Sequence, residues 1–281
     1  MINSSQIKKR VNDISIKTGI NPNIVLRHII FEFFLEKLEK SKYCQHYVIK
    51  GGFLISSITN IDLRTTMDLD VTIQSLLMTK ENLTESINDI LSVKTIHPLV
   101  MILTDIEEIR EMDQYPGFRA TISVHLDRLK ERIKIDFTTG DIITPSPINY
   151  YYKKILDQET LKIQSYNLET IISEKLETIL SRGTFNTRLR DYYDIFTIWN
   201  IRRNDIDIEL LRRAFNNTCT YRINRIFALE EGLNILDRVF MDKRFFDQWE
   251  VYQNNYTYVK NVEFIDTLKT IKSILLELCK N

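Results

Sequence analysis

Two aspartates, Asp68 and Asp70, stand at alternate positions in the stretch RTTMDLDVTI. In an extended strand their side chains point to one face, and their Cα atoms lie about 7 Å apart. Carboxylates this close repel each other, so one of them keeps a proton unless a cation lies between them. Mg²⁺ (or Mn²⁺) suits such a pair because it prefers oxygen ligands and takes most of them from water and phosphate groups. A plain solvated strand face fits the same spacing.

Two adjacent glycines, Gly51 and Gly52, precede the aspartates in a chain that has only seven glycines among 281 residues. Glycine has no Cβ, so the backbone N–H groups of a Gly-Gly turn can approach a phosphate group closely. Together with the aspartates, the glycines favour a site for a cation and a phosphorylated ligand. A tight turn without any ligand is the alternative.

A third carboxylate, Asp136, lies in ERIKIDFTTGD, where polar residues alternate with apolar ones. If this strand neighbours the earlier one, Asp136 joins Asp68 and Asp70. Three such carboxylates could hold two metal ions, which clamp the attacking and leaving oxygens of a phosphoryl displacement. The alternative is a cross-strand ion pair of the type Lys134–Asp70.

A further group of charged residues lies in SEKLETILSRGTFNTRLRDYYDIF. Lys175 borders an apolar helical stripe, so its ammonium group could reach the edge of a cleft. The alternative is that the charges form intrahelical pairs, Arg188–Asp191 and Arg190–Asp194, each worth a few tenths of a kcal/mol. The basic excess continues beyond this stretch, since residues 182–225 hold nine Lys/Arg against five Asp/Glu. Such an excess favours contacts with a nucleic-acid acceptor in the helical half, by arginines such as those at 202, 203, 212 and 213.

The elements that must position these residues can be predicted from the hydrophobic pattern. The stretch NPNIVLRHIIFEFFLEKLEKS is typical of a helix with Asn21 as N-cap and Pro22 at its first position. A strand ending at Gly51, a helix from FLISSI and a strand over DLDVTI follow, then a helix that begins near Lys80. The pattern predicts three more strands, in PLVMILTDIEEI, FRATISVHLDRL and ERIKIDFTTGD.

The pattern changes after TPSPINYYYK, which holds two of the five prolines. From Leu168 onward the apolar period is close to 3.6, so helices follow strands and the fold class is α+β. We expect a mixed sheet flanked by helices and then a helical C-terminal domain. The predicted division is an N-terminal helical segment over 1–45, a core domain over 46–160 and a helical domain over 161–281.

Composition adds few constraints on function. Lys plus Arg equals Asp plus Glu at 38 each, so overall charge favours no class of partner. The three cysteines are far apart and the four histidines are scattered, which argues against disulfides and a zinc site. No apolar run approaches the roughly 20 residues of a membrane span, and no signal peptide is evident. A cytoplasmic location without a membrane partner is therefore expected.

The ordered set of motifs resembles the AbiEii/AbiGii toxin family of nucleotidyltransferases, within the polymerase-β-like superfamily. The resemblance covers roughly residues 45–200. The stretches that carry it are KGG at 50–52, RTTMDLD at 64–70, IDFTTGDIITP at 135–145, YNLETIISEKLETILSRG at 166–183 and NTRLRDYYDIF at 186–196.

The resemblance implies a nucleotidyltransferase-like core, with Asp68, Asp70 and Asp136 as metal ligands and catalytic residues. It also implies catalytic roles for Lys175 and Asp191. The nucleotide-binding positions that we expect are Gly51, Gly52, Arg64, Thr66, Lys175 and Arg188. One departure is that Phe53 stands where the wider superfamily has Ser or Thr in contact with triphosphate. Ser56, Ser57 or backbone amides would then have to take that place.

For function, the resemblance implies a toxin of a bacterial toxin–antitoxin or phage-defence system. The expected reaction transfers a nucleoside monophosphate from an NTP to an RNA or protein acceptor, with the 3′ end of tRNA as the expected acceptor and Mg²⁺ or Mn²⁺ as cofactor. A cognate antitoxin encoded nearby is the implied partner. Two alternatives stay open: an NTP-dependent phosphotransferase toxin with the same metal site, and a non-catalytic nucleotide-binding module.

Overall fold

The computed structural model of the chain describes residues 3–59, 68–109 and 117–280. The chain forms two compact units. Unit 1 consists of Met1–Asp141 and Ile148–Ser165, and unit 2 consists of Ile142–Pro147 and Tyr166–Asn281. The described strands lie in unit 1 and unit 2 is mainly helical, which confirms the expected α+β class.

Unit 1 combines helices with one mixed sheet. Its helices are α1 (Ser4–Thr18), α2 (Pro22–Glu39), α3 (Gly51–Thr59) and α4 (Lys80–Ser92). Its strands are β1 (Tyr47–Lys50), β2 (Asp68–Ile73), β3 (Val100–Glu108), β4 (Gly117–Leu126), β5 (Leu129–Thr139), β6 (Ile148–Lys153) and β7 (Thr160–Ser165). The described strands form a seven-stranded sheet in the order β3-β4-β5-β2-β1-β7-β6.

The predicted helix and strand starts are largely confirmed. Asn21 caps α2, because its side chain accepts a hydrogen bond from the N–H of Asn23. Helix α4 begins at Lys80 as expected, and its N-cap is Thr79. The five predicted strands all form, as β1 to β5.

Strands β6 and β7 were not predicted, because their stretch looked like a boundary between domains. β6 follows two prolines closely, and β7 pairs in parallel with β1, more than a hundred positions earlier in the chain. A pairing over that distance leaves no local signal in the sequence. The sheet is mixed, because β2 lies parallel to β5 and antiparallel to β1.

Alternation along the central strands divides the sheet into an apolar face and a polar face. Leu69 and Val71 of β2, with Ile135 and Phe137 of β5, have no exposed surface. Their neighbours Asp70 and Asp136 point the other way and are half-buried. Alternation thus places the predicted carboxylates on the polar face.

A buried carboxylate connects α2 to the loop between β6 and β7. Glu32 is only 1% exposed. Its Oε1 accepts hydrogen bonds from the Tyr152 hydroxyl at 2.7 Å and the N–H of Ile155 at 2.5 Å, and its Oε2 accepts one from the N–H of Leu156. Burial raises the pKa of Glu32 to about 7, although these hydrogen bonds act in the opposite direction.

Unit 2 is helical, as expected. Its helices are α5 (Leu168–Arg182), α6 (Leu189–Arg202), α7 (Ile208–Ile223), α8 (Leu229–Met241), α9 (Lys243–Asn255) and α10 (Phe264–Leu278). Aromatic rings fill its core: Phe264 contacts the rings of Tyr192, Phe245 and Trp249. Among the helices in the described ranges, none is both long enough and apolar enough to cross a membrane.

Candidate active site

The strand registers bring four charged residues into one row across the polar face of the sheet. Arg119 of β4 lies opposite Asp136 of β5, Asp136 lies beside Asp70 of β2, and Asp70 lies opposite Lys50 of β1. We call these four residues the charged row. Residues paired in register share a face, so two carboxylates lie between two cations.

Asp68 extends this arrangement by one step along β2. It pairs in register with Lys134 and is half-buried, like Asp70. The expectation that the strands of Asp70 and Asp136 are neighbours is confirmed by their direct pairing. Unit 1 therefore brings three of the predicted acidic residues to one face.

Arg119 holds the third of these acidic residues. Its Nε donates to Asp136 Oδ1 at 2.7 Å and its second guanidinium nitrogen donates to Oδ2 at 2.8 Å. These hydrogen bonds and the nearby charge of Asp68 raise the pKa of Arg119 above its ordinary value. The fork geometry fixes the carboxylate plane of Asp136. Arg119 was not predicted, because only the β4–β5 register shows that it faces Asp136.

Lys50 forms a buried ion pair at the other end of the charged row. Its ammonium lies 2.5 Å from Asp141 Oδ2, and both side chains are only about a tenth exposed. Thr138 also donates to this carboxylate, at 2.7 Å. Burial alone would raise the pKa of Asp141, but Lys50 and the hydroxyls of Thr138 and Thr72 hold it below its ordinary value. Both ends of the pair lie in motifs that carry the resemblance, although neither had an assigned role.

Gly51 makes room for the central carboxylate. Its φ is +69°, in the left-handed region that favours glycine, and a Cβ built on it would overlap the carboxylate of Asp70. Asp70 is thus seated against the start of α3, where backbone N–H groups lack helical partners.

Phe53 and Ser56 of α3 are buried, whereas Ser57 is half-buried. Phe53 is 1% exposed and stacks on the ring of His28. Ser56 donates to the carbonyl of Phe53 at 2.8 Å, and the Ser57 hydroxyl lies 2.7 Å from the Tyr150 hydroxyl. Phe53 and Ser56 are thus directed away from a phosphate, which favours the backbone amides at the start of α3 as its contacts.

Asp68 and Asp70 are the candidate donors for a cation. Within residues 3–59, 68–109 and 117–280, no three His, Cys, Asp or Glu side chains are grouped so that they could hold a metal ion. Both oxygens of Asp136 accept from Arg119. Two carboxylates beside the glycine turn still fit Mg²⁺, which commonly takes one or two from the protein and its other ligands from water and phosphates.

In unit 2, Lys175 lies between two buried carboxylates. Its ammonium is 2.6 Å from Asp191 Oδ1 and 2.7 Å from Asp194 Oδ2. Arg188 contacts the other oxygen of Asp191 at 2.8 Å, so that intrahelical pair does form. Asp194 meets Lys175 rather than Arg190, a partner that sequence spacing did not indicate. Asp191 is therefore placed to orient Lys175.

The remaining predicted positions have different outcomes. Arg64 and Thr66 lie outside the described residues. Three of the helical arginines that were expected to contact an acceptor are engaged within unit 2. Arg202 pairs with Asp205, Arg203 pairs with Glu277 and Arg212 pairs with Glu209. Their charges are thus partly neutralised inside the unit.

The sequence profile of the family described as nucleotidyl transferase AbiEii toxin, type IV toxin–antitoxin system, matches residues 34–267. The chain belongs to this family. Membership confirms the resemblance drawn from the motifs, and it identifies the protein as a nucleotidyltransferase-family toxin. An NTP substrate and an antitoxin partner follow from that class.

Solved structures share the fold of this AbiEii-family chain. JHP933 from Helicobacter pylori superposes with a TM-score of 0.53 at 12% identity, covering 92% of this chain and 93% of its own. A candidate nucleotidyltransferase from H. pylori gives a TM-score of 0.50 at 13% identity, covering 92% and 96%. At such identities the likeness concerns the fold alone. No curated protein matches the chain.

Proposed function

We propose that this AbiEii-family toxin transfers a nucleoside monophosphate from an NTP to the 3′ end of an RNA acceptor, with tRNA as the candidate, in a reaction that needs Mg²⁺ or Mn²⁺. The observation that supports this most is the seating of Asp70 against Gly51, with Asp68 and Asp136 on the same face. Carboxylates beside helix amides that lack intrahelical partners suit a metal-bound triphosphate.

Asp68 and Asp70 would hold the metal ion, which would polarise the α-phosphate and offset the charge of the other phosphates. The amides at the start of α3 would contact the triphosphate. Asp136, fixed by Arg119, would accept the proton of the attacking 3′-hydroxyl. A bond then forms between that oxygen and the α-phosphorus, the bond to the β-phosphate oxygen breaks, and pyrophosphate leaves.

The residues that the sequence indicated in unit 2 also stay proposed site residues. Lys175 and Arg188 stay proposed nucleotide-binding residues, and Asp191 would orient the Lys175 ammonium, which lies 2.6 Å from its Oδ1. Arg64 and Thr66 stay proposed nucleotide-binding residues.

The test is the fate of the label from NTPs labelled at the α or the γ phosphate, incubated with bulk bacterial tRNA and Mg²⁺. We expect α-label on RNA. Label from the γ position on an acceptor would identify a phosphotransferase instead, and nucleotide binding with neither transfer would identify a binding module. Asp70→Asn should lower transfer by about a hundredfold or more, since the amide keeps the shape but loses the charge. Asp247→Asn, at an exposed position in unit 2, is the matched control.

We also propose that the toxin acts in phage defence in the cytoplasm and that an antitoxin encoded nearby counters it. Its expression should inhibit growth, and co-expression of the neighbouring gene should restore growth. Asp70→Asn should not inhibit growth. Inhibition by a folded Asp70→Asn variant would separate toxicity from nucleotide transfer.

A further inference from the structure

A row of exposed cations leads along β5 to the acidic residues. Lys130, Arg132 and Lys134 occupy alternate positions on this strand, followed in the same alternation by Asp136. All three cations are exposed. Alternate residues of a strand share one face at a spacing of about 7 Å. We call Lys130, Arg132 and Lys134 the β5 cation row.

The β5 cation row lacks acidic partners in the part of the chain that the structure describes. None of its three side chains forms an ion pair there, whereas Arg202, Arg203 and Arg212 in unit 2 each do. Exposed cations without acidic partners can neutralise the charge of a ligand without first breaking a contact.

A cavity of about 490 Å³ lies over part of this row. The residues that line it are Arg27, Thr104, Asp105, Thr121, Arg132 and Lys134. Three are cations and one is a carboxylate, so the cavity suits an anion. Lys134 also pairs in register with Asp68, which places the cavity beside the candidate metal ligands.

The linear arrangement fits an extended polyanion better than a compact one. The Cα atoms of Lys130 and Lys134 are about 13 Å apart along the strand, and the row runs away from Asp136. A triphosphate at the glycine turn would be held near Asp68 and Asp70, whereas successive phosphodiesters of a nucleic acid could follow the row. Two exposed apolar side chains lie on β3, the edge strand next to β4. Val100 and Ile102 of β3 are 53% and 50% exposed and stand in register with residues of β4 that share the polar face.

We propose that the β5 cation row binds the phosphodiester backbone of the RNA acceptor and leads its 3′ end to the acidic residues. This inference rests on the proposed function, because it takes RNA as the acceptor. It places the acceptor contacts on a strand of unit 1 rather than on the arginines of unit 2.

The experiment compares the double variant Arg132→Gln/Lys134→Gln with the matched control Lys153→Gln/Lys162→Gln, whose lysines are exposed on β6 and β7. Binding of a fluorescent 12-nucleotide oligouridylate and of bulk tRNA is measured across salt concentrations. Two lost phosphate contacts should reduce the slope of log affinity against log salt by about 1.4 and weaken binding about tenfold near physiological salt. The control should match the wild type. Binding of an NTP with Mg²⁺ should be unchanged in both variants.

An unchanged salt slope in Arg132→Gln/Lys134→Gln would overturn the proposal, as would a wild type that binds neither RNA. Weaker NTP binding with normal RNA binding would overturn it too and would assign the row to the triphosphate. Failure of the proposed function is recognised separately, as absence of α-label transfer by a wild type that binds RNA through this row. Thermal unfolding of each variant confirms that the exposed substitutions leave the fold intact.

Discussion

Gly51 leaves the space that the side chain of Asp70, a candidate catalytic residue, occupies. Substitution by Ala would meet two obstacles, a φ of +69° and an overlap with the carboxylate of Asp70. Gly19 offers a matched comparison, since its φ is +74° and no atom lies within 4 Å of an added Cβ. Both Gly→Ala changes should cost about 1–2 kcal/mol from backbone strain.

Only Gly51→Ala should also displace Asp70, so we expect it to lose nucleotide transfer and Mn²⁺ binding while Gly19→Ala keeps both. Urea unfolding and Mn²⁺ titration of the two purified variants provide the measurements. Normal Mn²⁺ affinity in Gly51→Ala would show that the carboxylate is not seated against this turn.

Lys175 balances two buried charges, so its removal should be costly. Asp191 and Asp194 are 1% and 0% exposed in their side chains, and both contact the Lys175 ammonium. Leaving buried carboxylates without this partner typically costs about 3–5 kcal/mol. We therefore expect Lys175→Met to lower the free energy of unfolding by that amount, as measured in urea.

The triple variant Lys175→Met/Asp191→Asn/Asp194→Asn should recover most of this stability, because it removes the buried charges together with the lysine. Its transferase activity should stay low. A single Lys175→Met variant as stable as the wild type would mean that other groups, such as Arg188 at Asp191, balance the carboxylates.

Sequence spacing could predict the acidic residues but not their partners. The alternation of polar and apolar residues that includes Asp68 and Asp70 is visible within the six residues of β2. A similar alternation in β5 includes Asp136. Arg119 meets Asp136 only because β4 and β5 pair in one particular register. A hairpin shifted by one residue would turn Arg119 to the apolar face. The local pattern predicts which face of the sheet a strand residue occupies. Its partner depends on the register in which two strands pair.

At the scale of elements, α2 carries a carboxylate that should make stability depend on pH. Burial raises the pKa of Glu32 from 4.5 to about 7. The folded protein therefore binds this proton more tightly than the unfolded chain, and the unfolding free energy falls as pH rises from 4.5 to 7. The loss from this group should be on the order of 3 kcal/mol, from 1.36 kcal/mol per pKa unit. The groups that face Glu32 are the Tyr152 hydroxyl, the N–H groups of Ile155 and Leu156, and the charge of Asp157.

Glu32→Gln should flatten this dependence, since the amide does not titrate. Urea unfolding at several pH values between 5 and 8 measures the difference between variant and wild type. Parallel stability profiles would show that Glu32 ionises in the folded protein as readily as in the unfolded chain.

Strands β6 and β7 are the two strands that the sequence pattern did not predict. The helices of unit 2 repeat an apolar stripe over three or four turns, which is a strong local signal. Each of these strands has six residues, and β7 joins the sheet through a parallel pairing with β1. Short strands that depend on distant partners resemble loops until the partner is known.

At the scale of the whole molecule, metal and nucleotide should bind cooperatively. Without a cation, the carboxylates of Asp68 and Asp70 repel the phosphates of an NTP. A divalent ion that contacts both removes this repulsion, so each ligand should tighten the other by the same factor. Calorimetry of an NTP into the protein, with Mg²⁺ and with a chelator, measures that factor. We expect a clear difference for the wild type and little for Asp68→Asn/Asp70→Asn. Equal affinities in both buffers would refute a shared metal–nucleotide site.

The route of the chain sets an order of events during synthesis. Unit 1 is interrupted by Ile142–Pro147, and its last strand, β7, ends at Ser165 and pairs with β1. A ribosome adds roughly 5–20 residues per second, so β7 is completed about 1–5 s after β5. During that interval β2 and β5, which carry Asp68, Asp70 and Asp136, have already been synthesised. The edge of β1 that later pairs with β7 is still unpaired, so other chains could join it. The sheet therefore cannot be completed on the ribosome until synthesis has passed Ser165, rather than Asp136.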